Sequence, residues 1–281
     1  MAIIWLASYP KSGNTWMRLL LSNLLSDGDA PVDINNIRLD GFQPVKQGLA
    51  NEASLVDTEL LTDTERDQFR PLLVKTMLED AGTATCDQFV KVHDAYRHLP
   101  DGTPLLGRGV ARAALYILRD PRDVAVSLAH YYGVDLDKAI EFMGKDNFLR
   151  SKRQRPNSQI PQRLLDWSGH VRSWTGQQDV TTHVLRYEDM LTDTTAAFER
   201  VVAFLGLPTS PTALEKAVRG ADFKELQRQE AEKGFRELIA QSISPFFRQG
   251  KAGGWTDVLT PTQTAAIEAA HGEVMAAYGY V

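Results

Sequence analysis

The chain has 281 residues, 43% hydrophobic and 24% charged, with a formal net charge of −5 and a single cysteine, Cys86. That composition describes a soluble globular protein with a sizeable core, and its acidic balance argues against general nucleic-acid binding, which wants a basic surface. One cysteine excludes a disulfide framework and a multi-cysteine zinc site. No stretch approaches the roughly eighteen uninterrupted apolar residues of a transmembrane helix. The first apolar run follows no cationic segment and is too short for a signal peptide, so a cytoplasmic protein with no membrane partner is expected.

In chain order, Ala2–Ser8 is a short apolar run ending in turn formers, which predicts a buried strand. From Thr15, the spacing of Met17, Leu20, Leu21, Leu24 and Leu25 predicts a helix. The Pro-Lys-Ser-Gly turn between them aims backbone N–H groups and a helix N-terminus at one point, which suits an anion. Lys11 adds a positive charge, and Ser12, Asn14 and Thr15 add donors. It is not a Walker A loop, since one glycine, Gly13, follows the lysine instead of two flanking the preceding residues. An ordinary strand–turn–helix connection with a solvated lysine is the rival reading. Trp16 suits stacking on a nucleobase, or core packing.

Asp27–Asn51 reads as a long loop with at most one short helix, and Leu60–Glu79 as a helix. Gln88–Val92 and Ala113–Leu118 read as strands separated by a Pro/Gly-rich connection, and Asp123–Tyr132 as a helix. Leu136–Met143 is a short amphipathic piece; Arg150, Lys152, Arg153 and Arg155 then form a basic run, either a solvated loop or a lid. Leu164–Thr175 reads as a helix, His183–Arg186 as a strand, and Ala196–Leu205, Pro211–Arg219 and Asp222–Arg236 as helices. A glycine-rich basic loop spans Phe246–Trp255, before a last helix over Pro261–Tyr278. The alternation predicts one α/β domain over residues 1–281, a P-loop-like central parallel sheet flanked by helices on both faces.

Ligands of open parallel sheets bind at the carboxyl ends of the strands. There the first strand delivers Lys11, the second Lys91 and His93, the third Arg119, and the fourth Tyr187-Glu188-Asp189. A crevice of that make-up suits a polyanion and holds a base, His93. Arg119 suits bidentate phosphate contact, with Ser127 about two turns into the next helix. Arg122 and Asp123 fit capping and ion pairs better, and the remaining histidines read as surface or satisfied structural residues. No metal-ligand spacing is present.

With these pieces in order, the chain resembles the cytosolic-type sulfotransferases that use 3′-phosphoadenosine 5′-phosphosulfate (PAPS), in a bacterial small-molecule branch. Tyr9-Pro10-Lys11-Ser12-Gly13-Asn14-Thr15-Trp16 is similar to the family's 5′-phosphosulfate loop, and Tyr116–Ser127 to its 3′-phosphate segment. Lys91-Val92-His93 stands where the family has Lys-Thr-His; Tyr187-Glu188-Asp189-Met190 and Arg248–Trp255 resemble two further stretches.

The resemblance implies that Lys11, Ser12, Gly13, Asn14 and Thr15 hold the 5′-phosphosulfate and that Trp16, Tyr187 and Phe223 enclose the adenine. Arg119, Ser127, Arg248, Gln249 and Gly250 would bind the 3′-phosphate. His93 would be the catalytic base, assisted by Lys11 and Lys91. It implies PAPS as co-substrate, 3′-phosphoadenosine 5′-phosphate (PAP) as product and no metal. Departures are Asn14 for threonine, Gln249 for lysine, Ala221 for Ser or Thr, Thr256 for lysine, and no Lys-Thr-Val-Glu dimer stretch, leaving a monomer or weak homodimer.

Such a protein would transfer sulfonate to a hydroxyl, or less readily an amine, of a small-molecule acceptor. A P-loop-type nucleotide kinase and a non-catalytic PAP- or nucleotide-binding protein are the rival classes. Phe42, Tyr96, Tyr131, Tyr132, Phe142, Phe148 and Phe235 are candidate acceptor walls, or plain core.

Overall fold

In the computed structural model, residues 2–37, 39, 47–80, 87–149 and 159–281 are described, with backbone alone at 53, 77, 80 and 147–149. Cys86, Phe42 and the basic run Arg150–Arg155 lie outside the described residues, as does the side chain of Phe148.

Four strands make the central sheet: β1 (Ile3–Ser8), β2 (Gln88–Val92), β3 (Ala111–Leu118) and β6 (Thr182–Arg186), in the order β2-β1-β3-β6. Every pairing is parallel. These strands are near-continuous apolar runs because both faces are covered, as parallel sheets require. Alternate residues therefore feed two separate cores. Ile3, Trp5, Ala7, Val90, Val92, Ala114, Tyr116 and Leu118 meet α4 (Pro121–Tyr132), α5 (Leu136–Met143), α6 (Trp167–Thr175) and α11 (Pro261–Ala277). Ile4, Leu6, Phe89, Ala113, Leu115 and Ile117 meet α1 (Asn14–Leu24), α8 (Thr194–Phe204), α9 (Pro211–Gly220) and α10 (Phe223–Lys233). The α/β sheet flanked on both faces is the architecture the strand–helix alternation predicted.

Two elements differ from the sequence reading. Leu164 and Leu165, read as the start of a helix, close strand β5 (Gln162–Leu165), paired antiparallel with β4 (Asn147–Leu149) in a small second sheet. The helix begins only at Trp167, where Asp166 accepts from the Gly169 N–H and so caps it. The stretch Tyr187–Thr192, to which the sequence reading gave no secondary structure, is helix α7. Elsewhere the differences are at ends: α2 (Gln47–Ser54) opens inside the expected loop, α3 runs Asp63–Asp80, and Gly234 at φ 69° stops α10.

Helix α3 is tied to the strand end that carries His93 by an ion pair between Arg70 and Asp94, 2.7 Å long, with both side chains 0% exposed. Asp94 also accepts from the Arg163 N–H, and its own carbonyl accepts from the Trp174 indole. Removing one partner of such a pair strands a buried charge. Arg70→Met should therefore lower stability by about 3–5 kcal/mol, and adding Asp94→Asn should recover most of the loss. Urea denaturation of the two variants checks this; equal losses in both would contradict it.

Candidate functional site

The turn after β1 is built by its backbone. Lys11 sits at φ 68° and Gly13 at φ 101°, so successive N–H groups turn toward the start of α1. Gly13 caps that helix, and a Cβ there would lie 2.6 Å from the Tyr187 ring. Asn14 spends its amide on the scaffold: Nδ2 donates to the Leu6 carbonyl at 2.9 Å and to Ser8 Oγ at 3.3 Å. The donor expected to face an anion is thus turned to the strand. The buried Ser12 hydroxyl has no partner among the described residues. Lys11 Nζ rests 3.8 Å from the Phe246 ring centroid and 4.1 Å from that of Tyr131. Burial pulls its ammonium down to about 7, with the Lys91 and Arg119 charges adding to the effect and Glu237 opposing it.

His93, at the end of β2, is held from three sides. Its Nδ1 lies 2.7 Å from the Ser8 carbonyl, which can only accept, so this nitrogen carries the proton. The second nitrogen, Nε2, is left with its lone pair and no hydrogen-bond partner among the described residues. The His93 N–H donates to Gln162 Oε1 at 3.1 Å, and its carbonyl accepts from His170 Nε2 at 3.0 Å. His170 is oriented in turn by the Tyr116 hydroxyl, 2.8 Å from its Nδ1. Burial, then the Lys91 charge, pulls the His93 imidazole down to about 3. Burial likewise lowers Lys91, against the pull of Glu237.

A second cationic patch lies where β3 ends. Arg119 donates to the carbonyls of Lys11 (3.1 Å) and Lys251 (3.2 Å), and its guanidinium stacks 4.3 Å above the Tyr187 ring. It thereby ties the β1 turn to the glycine-rich loop. Two buried carboxylates hold that loop: Asp123 accepts from Gly253 and Trp255 N–H, and Glu230 from Phe246 and Phe247 N–H. Arg248 is held below its ordinary pKa by burial and by the Arg119 charge. At Gly250, φ is 58° and a Cβ would meet the Phe223 ring at 2.6 Å. Ser127 is half-buried on α4, whereas Gln249 is exposed.

Trp16 donates its indole N–H to the Ala221 carbonyl at 2.9 Å and meets Tyr187 edge-on, ring centroids 5.7 Å apart. With Phe223, Val218 and Asp222 it lines a cavity of about 160 Å³. The aromatic candidates divide. Tyr131 and Phe246 flank Lys11, and Phe235 packs on Phe246 at 4.7 Å. Tyr96 is core, edge-on to Trp174 at 5.2 Å and donating to Asp179. Arg122 pairs with Asp120 and Glu268 and donates to the Tyr280 carbonyl, a structural role.

Sequence reasoning missed Arg18 and Glu237. Arg18 carried a signal, as the one charge in the apolar α1 run and three residues after Thr15. Glu237 carried none, because nothing in its surroundings fixes which way it points.

Fold and site together define a parallel-sheet α/β protein with two cationic patches at the carboxyl edge of its sheet. A family model for the sulfotransferase domain matches residues 2–279, and the chain belongs to that family. It is 26% identical to sulfotransferase 1A1 of Canis lupus familiaris, over 98% of this chain and 83% of that protein. Against sulfotransferase 1A1 of Bos taurus the identity is 28%, over 96% of this chain and 82% of the other. The fold is similar to that of mouse sulfotransferase SULT7A1 complexed with PAP, with a TM-score of 0.61 at 21% identity, covering 98% and 84% of the two chains. These relatives are mammalian and do not single out a bacterial branch. Among the described residues no group of three His, Cys, Asp or Glu could hold a metal ion, and no helix is long and apolar enough to cross a membrane.

Because the Lys11 ammonium is depressed, an anion bound beside it would bind with proton linkage. A neighbouring anion favours the charged form, so at about pH 8 binding of inorganic pyrophosphate should take up a proton, and affinity should fall as pH rises above 7. Calorimetry in buffers of different ionisation enthalpy reads the uptake. It should vanish in Lys11→Met, and its absence from the unmodified protein would contradict the Lys11 assignment.

Proposed function

We propose that the protein transfers the sulfonate of PAPS to a hydroxyl of a small or medium-sized acceptor, with His93 as the general base. The observation that carries this reading is the fixed tautomer of His93. Its Nδ1 proton is committed to the Ser8 carbonyl, its Nε2 has no hydrogen-bond partner among the described residues, and the Lys91 charge, from the same strand end, acts on the ring. The residues present also fit the nucleotide. The Ser12 hydroxyl in the turn and the Arg119 Nε are buried without a partner among the described residues, and Trp16 and Phe223 border a cavity.

PAPS supplies the sulfonate, and PAP leaves as the acceptor oxygen takes it. Lys11 and the turn N–H groups would stabilise the negative charge that grows at the nucleotide side. Trp16, Tyr187 and Phe223 would bracket the adenine, with Arg119, Arg248, Ser127 and the Gly250 backbone at the 3′-phosphate. Gln249 would contribute least, being exposed. His93 Nε2 would take the acceptor proton. Burial, the larger cause, and then the Lys91 charge pull this imidazole to about 3; a donor carrying more negative charge than the single Glu237 carboxylate would offset the Lys91 part and raise its proton affinity. An aromatic wall at Tyr131, Phe235 and Phe246 supports an apolar hydroxyl compound as acceptor.

His93→Ala should abolish sulfonate transfer from labelled PAPS across an acceptor panel while leaving PAP affinity nearly unchanged. Turnover within a few-fold of the parent would contradict the base assignment. Arg119→Ala should weaken PAP binding by about 1.5–3 kcal/mol, the scale of a charge-assisted hydrogen bond. Adenosine 5′-phosphosulfate, which lacks the 3′-phosphate, should lose less; equal losses would place Arg119 elsewhere. Preference for ATP with Mg²⁺ over PAP would instead support a kinase.

A further inference from the structure

Glu237 lies on the connection between α10 and α11, far in sequence from the β1 turn, yet its carboxylate stands among the site's cations. Oε1 accepts from Arg18 at 2.5 Å, and Oε2 accepts from the Thr15 hydroxyl at 3.1 Å and from Lys91 at 3.4 Å. Although burial works to raise it, the Lys91 and Arg18 charges hold this carboxyl well below the usual range. The Thr15 hydroxyl has one proton, and here it goes to Glu237, while its oxygen accepts from Arg18 at 3.0 Å. Thr15 cannot donate to Glu237 and to a bound nucleotide at once.

We propose that Glu237 is a resident anion in the donor's 5′-phosphosulfate subsite, exchanged for the donor on binding, and that Arg18 is a further cation of the donor-binding set. The inference rests on the PAPS reading for the identity of the donor. The Arg18 side chain is 0% exposed and that of Glu237 is 20% exposed. A guanidinium sealed beneath the turn requires a counter-charge at all times. Glu237 has a route to solvent and Arg18 has none, so the carboxylate is the partner that moves. It sits where the chain has left α10 at Gly234, φ 69°, on backbone outside any helix or strand. The backbone around it is held, the Gly234 carbonyl and the Arg236 N–H by Asn35 at 2.9 and 2.8 Å and the Glu237 carbonyl by the Tyr131 hydroxyl at 3.0 Å, so the side chain alone would swing. Displacement would leave Arg18, Lys91 and Thr15 facing the incoming anion together. The carboxylate would act as a gate that keeps the site neutralised until a stronger anion arrives.

The test compares the unmodified protein with Glu237→Gln, using PAPS in one arm and inorganic sulfate in the other. Removing the internal competitor should tighten PAPS binding by about tenfold, as for a site closed some nine-tenths of the time. Without added anion the variant should melt at a lower temperature, and sulfate should restore the melting temperature at concentrations that hardly affect the parent. Glu237→Asp, with a shorter reach, should move both readouts the same way by less, and serves if the glutamine variant does not fold. Adding Arg18→Gln to Glu237→Gln should erase the gain for both anions. PAPS and sulfate affinities that stay equal or weaken in the Glu237 variants would overturn the proposal and make Glu237 a fixed structural partner. If neither protein binds PAPS, the donor reading fails, and the sulfate arm alone still decides whether the carboxylate exchanges.

Discussion

Positive charge held partly out of water is the constraint on which this structure turns. Lys11, Lys91, Arg18, Arg119 and Arg248 converge where β1, β2 and β3 end, and burial lowers the first two ammonium groups and the Arg248 guanidinium. A charge taken from water must be paired, hydrogen-bonded or neutralised. The protein uses all three devices. Arg18 and Lys91 pair with Glu237, Arg119 donates from its two terminal nitrogens to backbone carbonyls, and Lys11 is stacked against aromatic faces and eased toward neutrality. The resulting crevice gathers five basic side chains, and one carboxylate, Glu237, pairs with two of them.

The same economy explains the rigidity around His93. Ser8, Gln162 and His170 come from β1, β5 and α6, and each holds a different atom of that residue. The small β4–β5 sheet therefore matters to the site beyond its size, since it carries Gln162. On the far side, Asp123 and Glu230 bind backbone N–H groups of the glycine-rich loop, and Arg119 bridges it to the β1 turn. Acidic residues buried under the glycine-rich loop fix the backbone that carries Arg248.

The central sheet and its flanking helices were legible because each strand is an apolar run bounded by turn formers, and strand–helix alternation admits few topologies. Strand ends followed, and with them the places of Lys11, Lys91, His93 and Arg119. What stayed hidden was long-range pairing. Leu164-Leu165 have the apolar content of a helix start, and only the pairing of Gln162–Leu165 with Asn147–Leu149 makes them part of a strand. Asn14 has the chemistry of an anion donor, but the Leu6 carbonyl lies within its reach and claims the amide. Glu237 and Arg18 meet across more than two hundred positions of sequence, 219 apart, and no local pattern announces such a pair.

The central claim is that the fold delivers a neutral His93 with its proton on Nδ1 and its lone pair on Nε2. Nitrogen-15 NMR of the histidine-labelled protein reads both protonation and tautomer directly. The account predicts a neutral, Nδ1-protonated ring throughout the range from about pH 5 to 8. A ring that titrates near the ordinary value of 6.5, or one that carries its proton on Nε2, would contradict it.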